Sequence, residues 1–184
     1  LADKLGHPVF EIPIQPPSIP GMRLNAQLTR MASAKARVIL GSPLTAIHAM
    51  DGRIQAVDYA SAGRATRVET RAVILAAGGF ESGALELDSY GAVSDTVCGL
   101  PVMGPTGQLL HADFWGDEQP LFLAGLAVDD SMRVVDDNGT PVYTNLFAAG
   151  GNLAGATRWR EKSGEGIALA SALAAVDAIV EELK

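Results

Sequence analysis

Two glycine pairs close two apolar runs in this chain, and their placement suits a flat, electron-rich ligand. The first run is Arg71-Ala-Val-Ile-Leu-Ala-Ala77, followed by Gly78-Gly79. The second is Asn145-Leu-Phe-Ala-Ala149, followed by Gly150-Gly151-Asn152. Backbone without Cβ atoms lets a planar group approach closely. Further on, Ser163-Gly164-Glu165-Gly166-Ile167 opens an alanine-rich helix whose first N–H groups would face electron-rich oxygens. If the two runs are neighbouring strands, both glycine pairs lie at carboxyl ends, where open α/β sheets bind ligands. A nucleotide and a flavin both suit that arrangement.

Other reactive residues are scattered. The chain contains no CxxC, HExxH or GxSxG pattern and no P-loop glycine–lysine pair. His7, His48 and His111 are far apart, so each is expected to be an ordinary surface or core histidine. His111, in the least regular stretch, is the weak catalytic candidate among them. Cys98 has no neighbouring base and is expected to be a structural thiol. Arg158 and Arg160 are candidates for anion contact, because guanidinium forks match phosphate and carboxylate. Trp159 between them suits stacking on a ring, although the same loop also suits a plain solvated surface, as does Arg23. A full G-x-G-x-x-G is absent, so a pyrophosphate turn would have to lie upstream.

The elements that must position these residues follow from the hydrophobic pattern. Residues 1–20 are irregular, with an extended segment at 8–14 and the prolines Pro16, Pro17 and Pro20. Gly21 precedes an expected helix over 22–36, with Leu24, Leu28 and Met31 on one face. Arg37-Val-Ile-Leu40 is expected to be a short buried strand. Residues 44–49, the turn Asp51-Gly52 and residues 53–59 form a hairpin of type I′ character. Gly63 turns into a third, polar strand over 64–70. The run 71–77 is continuously apolar, as in a strand buried on both faces. Residues 81–120 are the least regular part and are expected to cover a site or face a substrate. Asp137-Asn138-Gly139 is a turn, and 146–149 is the last buried strand. In the closing helix, from about Gly166, Leu169, Leu173, Val176, Val180 and Leu183 form one stripe, and the remaining faces are mostly alanine, which lets the helix sit close against a sheet.

Composition limits the function classes. At 184 residues and 48% hydrophobic content the chain suits one domain, or one domain with a fragment of another. No apolar run approaches the roughly 18–20 residues of a membrane span. The net charge of −7 and the lack of a basic cluster argue against nucleic acid. The single cysteine fits a reducing, cytoplasmic setting. The first residue is leucine rather than methionine, so the chain is expected to be a piece of a longer protein.

The spacing of Arg71 to Gly79, with Val128-Asp129 and Asn145 to Gly150, resembles FAD-dependent oxidoreductases of the fumarate reductase and succinate dehydrogenase flavoprotein type. The stretches Pro16 to Leu24, Gly79-Phe-Glu-Ser-Gly83 and Gly99-Leu-Pro-Val102 are similar to the B-type subunit family of anaerobic glycerol-3-phosphate dehydrogenases. That resemblance implies an α/β fold: a partial FAD/NAD(P)-binding domain of the glutathione-reductase-like class with a parallel sheet, a β-meander and a C-terminal helix. Residues 22–80 and 121–184 would form this domain without its first nucleotide-binding unit, 1–21 a connector, and 81–120 a substrate-facing insertion. The implied cofactor is FAD or FMN, which this length of chain would hold weakly or not at all. The implied reaction is oxidation of glycerol 3-phosphate to dihydroxyacetone phosphate, with electrons passed to quinone. Fumarate-reductase-like chemistry on another substrate and a non-catalytic electron-transfer role are the alternatives. Implied partners are an FAD-bearing catalytic subunit and an iron–sulfur membrane-anchor subunit, placing the protein peripherally on the inner membrane face. Ala77, Gly78 and Gly79 would flank the cofactor, Gly150, Gly151 and Asn152 would lie by its ribityl or phosphate part, and Gly164, Glu165, Gly166 and Ile167 would face its pyrimidine edge. The chain departs from the family pattern at Lys162 and Ser163, where glycine and cysteine are usual, at Glu165, where a small residue is usual, and at Ser94-Asp95.

Overall fold

A computed structural model describes the chain apart from residues 1, 11, 13–17, 106 and 114–115, and apart from the Trp159 side chain. The Pro16-Pro17 pair, three residues of the expected segment at 8–14, and the stacking expected of Trp159 therefore lie outside the described residues. The chain divides into two compact units, Leu1–Ser42 and Pro43–Lys184.

The first unit holds helices α1 (Ala2–Leu5) and α2 (Ile19–Ser33). α2 starts and ends three residues earlier than expected because the Ser18 hydroxyl accepts the Gly21 N–H at 3.0 Å and caps the helix. Gly21 therefore lies inside the first turn, with Pro20 tolerated there because its missing N–H would have had no helical partner. Leu24, Leu28 and Met31 do share a face, but that face is exposed. The strand expected at Arg37–Leu40 does not form, and Leu40 is 80% exposed. A lone extended segment becomes a strand only by pairing, and no described residue of this unit forms a strand beside it.

The second unit begins with an antiparallel meander of β1 (Leu44–Met50), β2 (Arg53–Ser61) and β3 (Arg64–Glu69). Its first turn is the expected one: Asp51 and Gly52 both have positive φ, 51° and 71°, which matches the strand twist. β4 (Val73–Leu75) and β7 (Leu146–Ala148) pair in parallel, with Val73 opposite Leu146 and Leu75 opposite Ala148. β4 is shorter than expected and is not buried on both faces, since Leu75 is buried but Ile74 is exposed. Burial on both faces requires a layer on each. β7 meets the expectation: all three residues are buried. Between these strands, β5 (Leu85–Leu87) and β6 (Val93–Asp95) form a small hairpin in the irregular stretch. Leu100, beyond that hairpin, joins Ile54, Leu75, Leu126, Val134 and Leu146 in the core. Asp136 caps the turn at Asp137-Asn138-Gly139 by accepting the N–H groups of Asn138 and Thr140.

The chain closes with α3 (Arg158–Glu161) and α4 (Gly164–Glu182). α4 packs by the face opposite to its apolar stripe: Ser171 and Ala175 are buried, while Leu169 and Leu173 are 74% and 59% exposed. The two faces lie roughly 150° apart around a helix with 3.6 residues per turn. Small side chains win because they let the helix approach the glycine turn after β7, where the Gly150 N–H donates to Ser171 Oγ at 2.9 Å. No helix among the described residues is long and apolar enough to cross a membrane.

Two predictions test this packing. Asn145 is 1% exposed; its Oδ1 accepts the Ile54 N–H and its Nδ2 donates to the Ile54 and Arg71 carbonyls, each at 2.9 Å. Asn145→Ala removes the buried bonds to the Ile54 N–H and carbonyl, while the Arg71 carbonyl keeps the Arg53 guanidinium, and is expected to cost on the order of 3 kcal/mol, read as a lower urea midpoint with an unchanged slope. A midpoint equal to that of the parent would contradict the pinning. Burial, with the Asp95 charge adding to it, pushes the Cys98 thiol from 9.0 up to about 11. The folded chain thus holds this proton more tightly than the unfolded chain, so the stabilisation is complete below about pH 9 and is lost as pH rises through about 11. Alkylation of Cys98 should be slow at about pH 8 and accelerate steeply towards about pH 11; a rapid reaction at the lower pH would refute the assignment.

Candidate functional site

The parallel pairing of β4 and β7 brings the two glycine turns side by side at the carboxyl ends of both strands. The Ala149 N–H donates to the Leu75 carbonyl at 3.0 Å, carrying the ladder to the edge of the turns. There Gly78 and Gly150 have φ of 84° and 81°, the left-handed conformation in which a side chain is strained. Ser82, on the 3-10 turn Phe80–Ser82, holds the first turn by donating to the Ala77 and Gly79 carbonyls at 2.7 and 3.0 Å.

Gly79 and Gly151 face each other. A Cβ on Gly79 would lie 2.7 Å from the Gly151 carbonyl oxygen, and one on Gly151 would lie 3.4 Å from the Gly79 nitrogen. The same hypothetical Cβ atoms would each lie 2.6 Å from the Arg158 guanidinium, Nη2 at Gly79 and Nη1 at Gly151. Arg158 therefore lies across both turns, in the space left by the two missing side chains. Its Nη2 also donates to Glu81 Oε2 at 2.8 Å.

Asn152 closes the floor of this cradle. It is 2% exposed, and its Nδ2 donates to the Leu75 carbonyl at 3.0 Å. Its Oδ1 is buried without a hydrogen-bond partner, leaving an acceptor unsatisfied beside the glycine turn. Beside the cradle opens a cleft of about 310 Å³ lined by Glu81, Arg158, Lys162, Gly164 and Glu165. Lys162 makes the sharp joint between α3 and α4 with φ 54°. Ser163 supplies no side-chain cap to α4 and instead donates to Glu161 Oε2 at 2.9 Å. Hydrogen bonds from Thr157 and Ser163 hold the Glu161 carboxyl below the ordinary glutamate range.

The structure thus brings together Gly79, Gly151, Arg158, Gly164 and Glu165 from the sequence-derived candidates. Ala77 contributes its carbonyl to the turn, and the Ile167 carbonyl accepts from Ser171 Oγ at 2.6 Å, which ties the first turns of α4 to Gly150. Gly166 lies in the first turn of α4 but is not among the cleft-lining residues. Arg160 is exposed and does not line the cleft. His111 is exposed on a separate loop, where its N–H and carbonyl are both bound by the Gln119 side chain. His48 joins a different cluster on the meander, with Nε2 2.7 Å from Asp58 Oδ2 and 2.8 Å from Arg67 Nη2. Arg67 first and His48 second hold the Asp58 carboxyl far below the usual carboxylate range. Sequence reasoning did not single out Glu81 or Ser171 as site residues. Glu81 meets an arginine 77 residues away, and Ser171 sits in an alanine run that gives no sign of its partner.

Gly151→Ala is expected to push Arg158 out of the cradle and cost up to about 1 kcal/mol, because the Cβ would overlap the end of the guanidinium and disturb its exposed ion pair while meeting the Gly79 nitrogen only at contact distance. The check is a thermal melt together with a double-mutant cycle between Glu81 and Arg158. Full retention of stability and of the Glu81–Arg158 coupling would show that the cradle is looser than described.

Residues 1–167 match the family model for an FAD binding domain. The chain is 31% identical over 187 residues to the probable B-type subunit of an anaerobic glycerol-3-phosphate dehydrogenase from Halobacterium salinarum, covering 100% of the chain and 43% of that protein. It is 28% identical over 192 residues to the B-type subunit of the anaerobic glycerol-3-phosphate dehydrogenase of Pectobacterium atrosepticum (99% and 43%). The protein of the same name from Glaesserella parasuis is 26% identical over 179 residues (94% and 41%). The chain spans less than half the length of these curated relatives. No solved structure matches it. With the match running from the first residue into the opening turn of α4, this α/β chain belongs to the FAD-binding-domain family.

Proposed function

We propose that this chain is the flavin-holding part of a dehydrogenase subunit whose complex oxidises glycerol 3-phosphate to dihydroxyacetone phosphate and passes the electrons to a respiratory chain. The observation that carries the reading is the cradle, in which two parallel strands end in bare turns facing each other across a flat guanidinium. A gap that admits this planar, delocalised group also suits the edge of a flavin ring. The orphaned Asn152 Oδ1 supplies an acceptor for a ligand N–H or hydroxyl.

In this reading Gly78, Gly79, Gly150 and Gly151 lie against the cofactor, and Asn152 orients it. When bound, a flavin takes up the hydride removed from the substrate. The chain contributes electrostatics: the positive end of α4 at Gly164 favours negative charge, and the Glu165 carboxylate beside it tempers that preference. A cleft of about 310 Å³ lies at the lower end of small-molecule sites, so it suits a ring or a phosphate group rather than an entire dinucleotide. The flavin is FAD or FMN. An FAD-bearing subunit and an iron–sulfur subunit would complete the complex, docked peripherally on the inner membrane face.

One observation favours a second reading. The cleft balances Arg158 and Lys162 against Glu81 and Glu165, which gives a phosphate dianion little net attraction. That balance suits an electron-relay subunit, with glycerol 3-phosphate turned over on a partner. Purified protein with its natural partners should show flavin absorbance bands, and glycerol 3-phosphate should bleach them. Bleaching in the isolated subunit supports an intrinsic active site, whereas bleaching only with the partner supports the relay. Colourless protein that takes up neither FAD nor FMN would overturn the flavin reading.

A further inference from the structure

We propose that Glu81 is a latch: it holds the Arg158 guanidinium across the two glycine turns, and ligand access exchanges that carboxylate for an anionic group on the ligand. The inference rests on the reading of the cradle as a flavin site. Steric exclusion is its first support. The guanidinium lies within 2.6 Å of both hypothetical Cβ positions, so a ring pressed against Gly79 and Gly151 and the guanidinium cannot share that space. Arg158 must move for such a ligand to reach the turns.

Its second support is a contact that contributes to holding Arg158 in place. Nη2 donates to Glu81 Oε2 at 2.8 Å, and Glu81 stands only two residues beyond Gly79, on the same turn that forms one wall of the cradle. The Arg158 side chain is 20% exposed and that of Glu81 is 43% exposed. A pair this accessible is strong enough to bias the position of the guanidinium and weak enough to exchange. Carboxylate and phosphate present the same kind of anionic oxygens to a guanidinium fork, so the exchange conserves the charge-assisted hydrogen bond. The small cleft beside the pair, with Lys162 on its wall, is where the displaced guanidinium could meet a ligand phosphate. Arg158 is thus both the occupant of the site and a handle for the ligand, and Glu81 sets the balance between these roles.

The test compares the parent protein with Glu81→Gln, which keeps the size of the side chain and removes its charge. Two readouts are used. FMN and FAD affinity, followed by quenching of flavin fluorescence, should tighten roughly threefold to tenfold in the variant. Independently of flavin, modification of Arg158 by phenylglyoxal, resolved by peptide mass spectrometry, should speed up several-fold. An unchanged modification rate would overturn the latch whatever the flavin does. Faster modification with unchanged or weaker flavin affinity would also overturn it, because the pair would then open without gating the site. If neither protein binds FMN or FAD while modification still accelerates, the flavin reading fails and the Glu81 restraint on Arg158 stands on its own. A melting temperature matching the parent confirms that the variant is folded.

Discussion

The carboxamide of Asn145 is the joint on which the rest of the larger unit depends. It spans the meander at Ile54, the backbone leading to β4 at Arg71, and the first residue of β7, which it precedes. Amide side chains can donate and accept at once, so one buried residue bonds three backbone groups, sharing the Arg71 carbonyl with the Arg53 guanidinium. A second asparagine does a similar job past the other end of β7, where Asn152 holds the Leu75 carbonyl. The short parallel pair is thus clamped at both ends, and the two glycine turns meet because the clamps leave them nowhere else to go.

Charge then fixes the helix to this frame. Arg133 lies over the Phe147 ring at 5.5 Å, donates to the Thr144 carbonyl, and pairs with both Asp129 and Glu182. It therefore ties the last turn of α4 to β7, while Ser171 ties the early turns to Gly150. A helix held at both ends cannot rotate to bury its leucines.

The features legible in the sequence were those set by local chemistry. Asp51-Gly52 specified its hairpin because few residues tolerate two successive positive φ angles. The glycine pairs announced adjacent strand ends because the apolar runs before them had the length and composition of core strands. Long-range pairing was not legible. Nothing near Glu81 points to Arg158, and nothing in the alanine run marks Ser171 as the residue that meets Gly150. The alanine faces of α4 do make the close approach that their small size suggests, whereas the stripe from Leu169 to Leu183 stays outside, because apolar periodicity reports which face could be buried and not which one is. Arg37–Leu40 failed for a related reason: strand propensity has no effect without a partner edge.

The uncovered leucine ridge of α4 also has a colloidal consequence. A chain with net charge −7 keeps its copies apart by repulsion, and that repulsion reaches only about 8 Å at physiological ionic strength. The contact that Leu169, Leu173 and Val180 can make with another apolar surface does not weaken as salt is added. Ionic strength therefore sets the balance between dispersion and association for this chain, and the same small-residue face that brings α4 close to its glycine turn is what leaves the ridge outside.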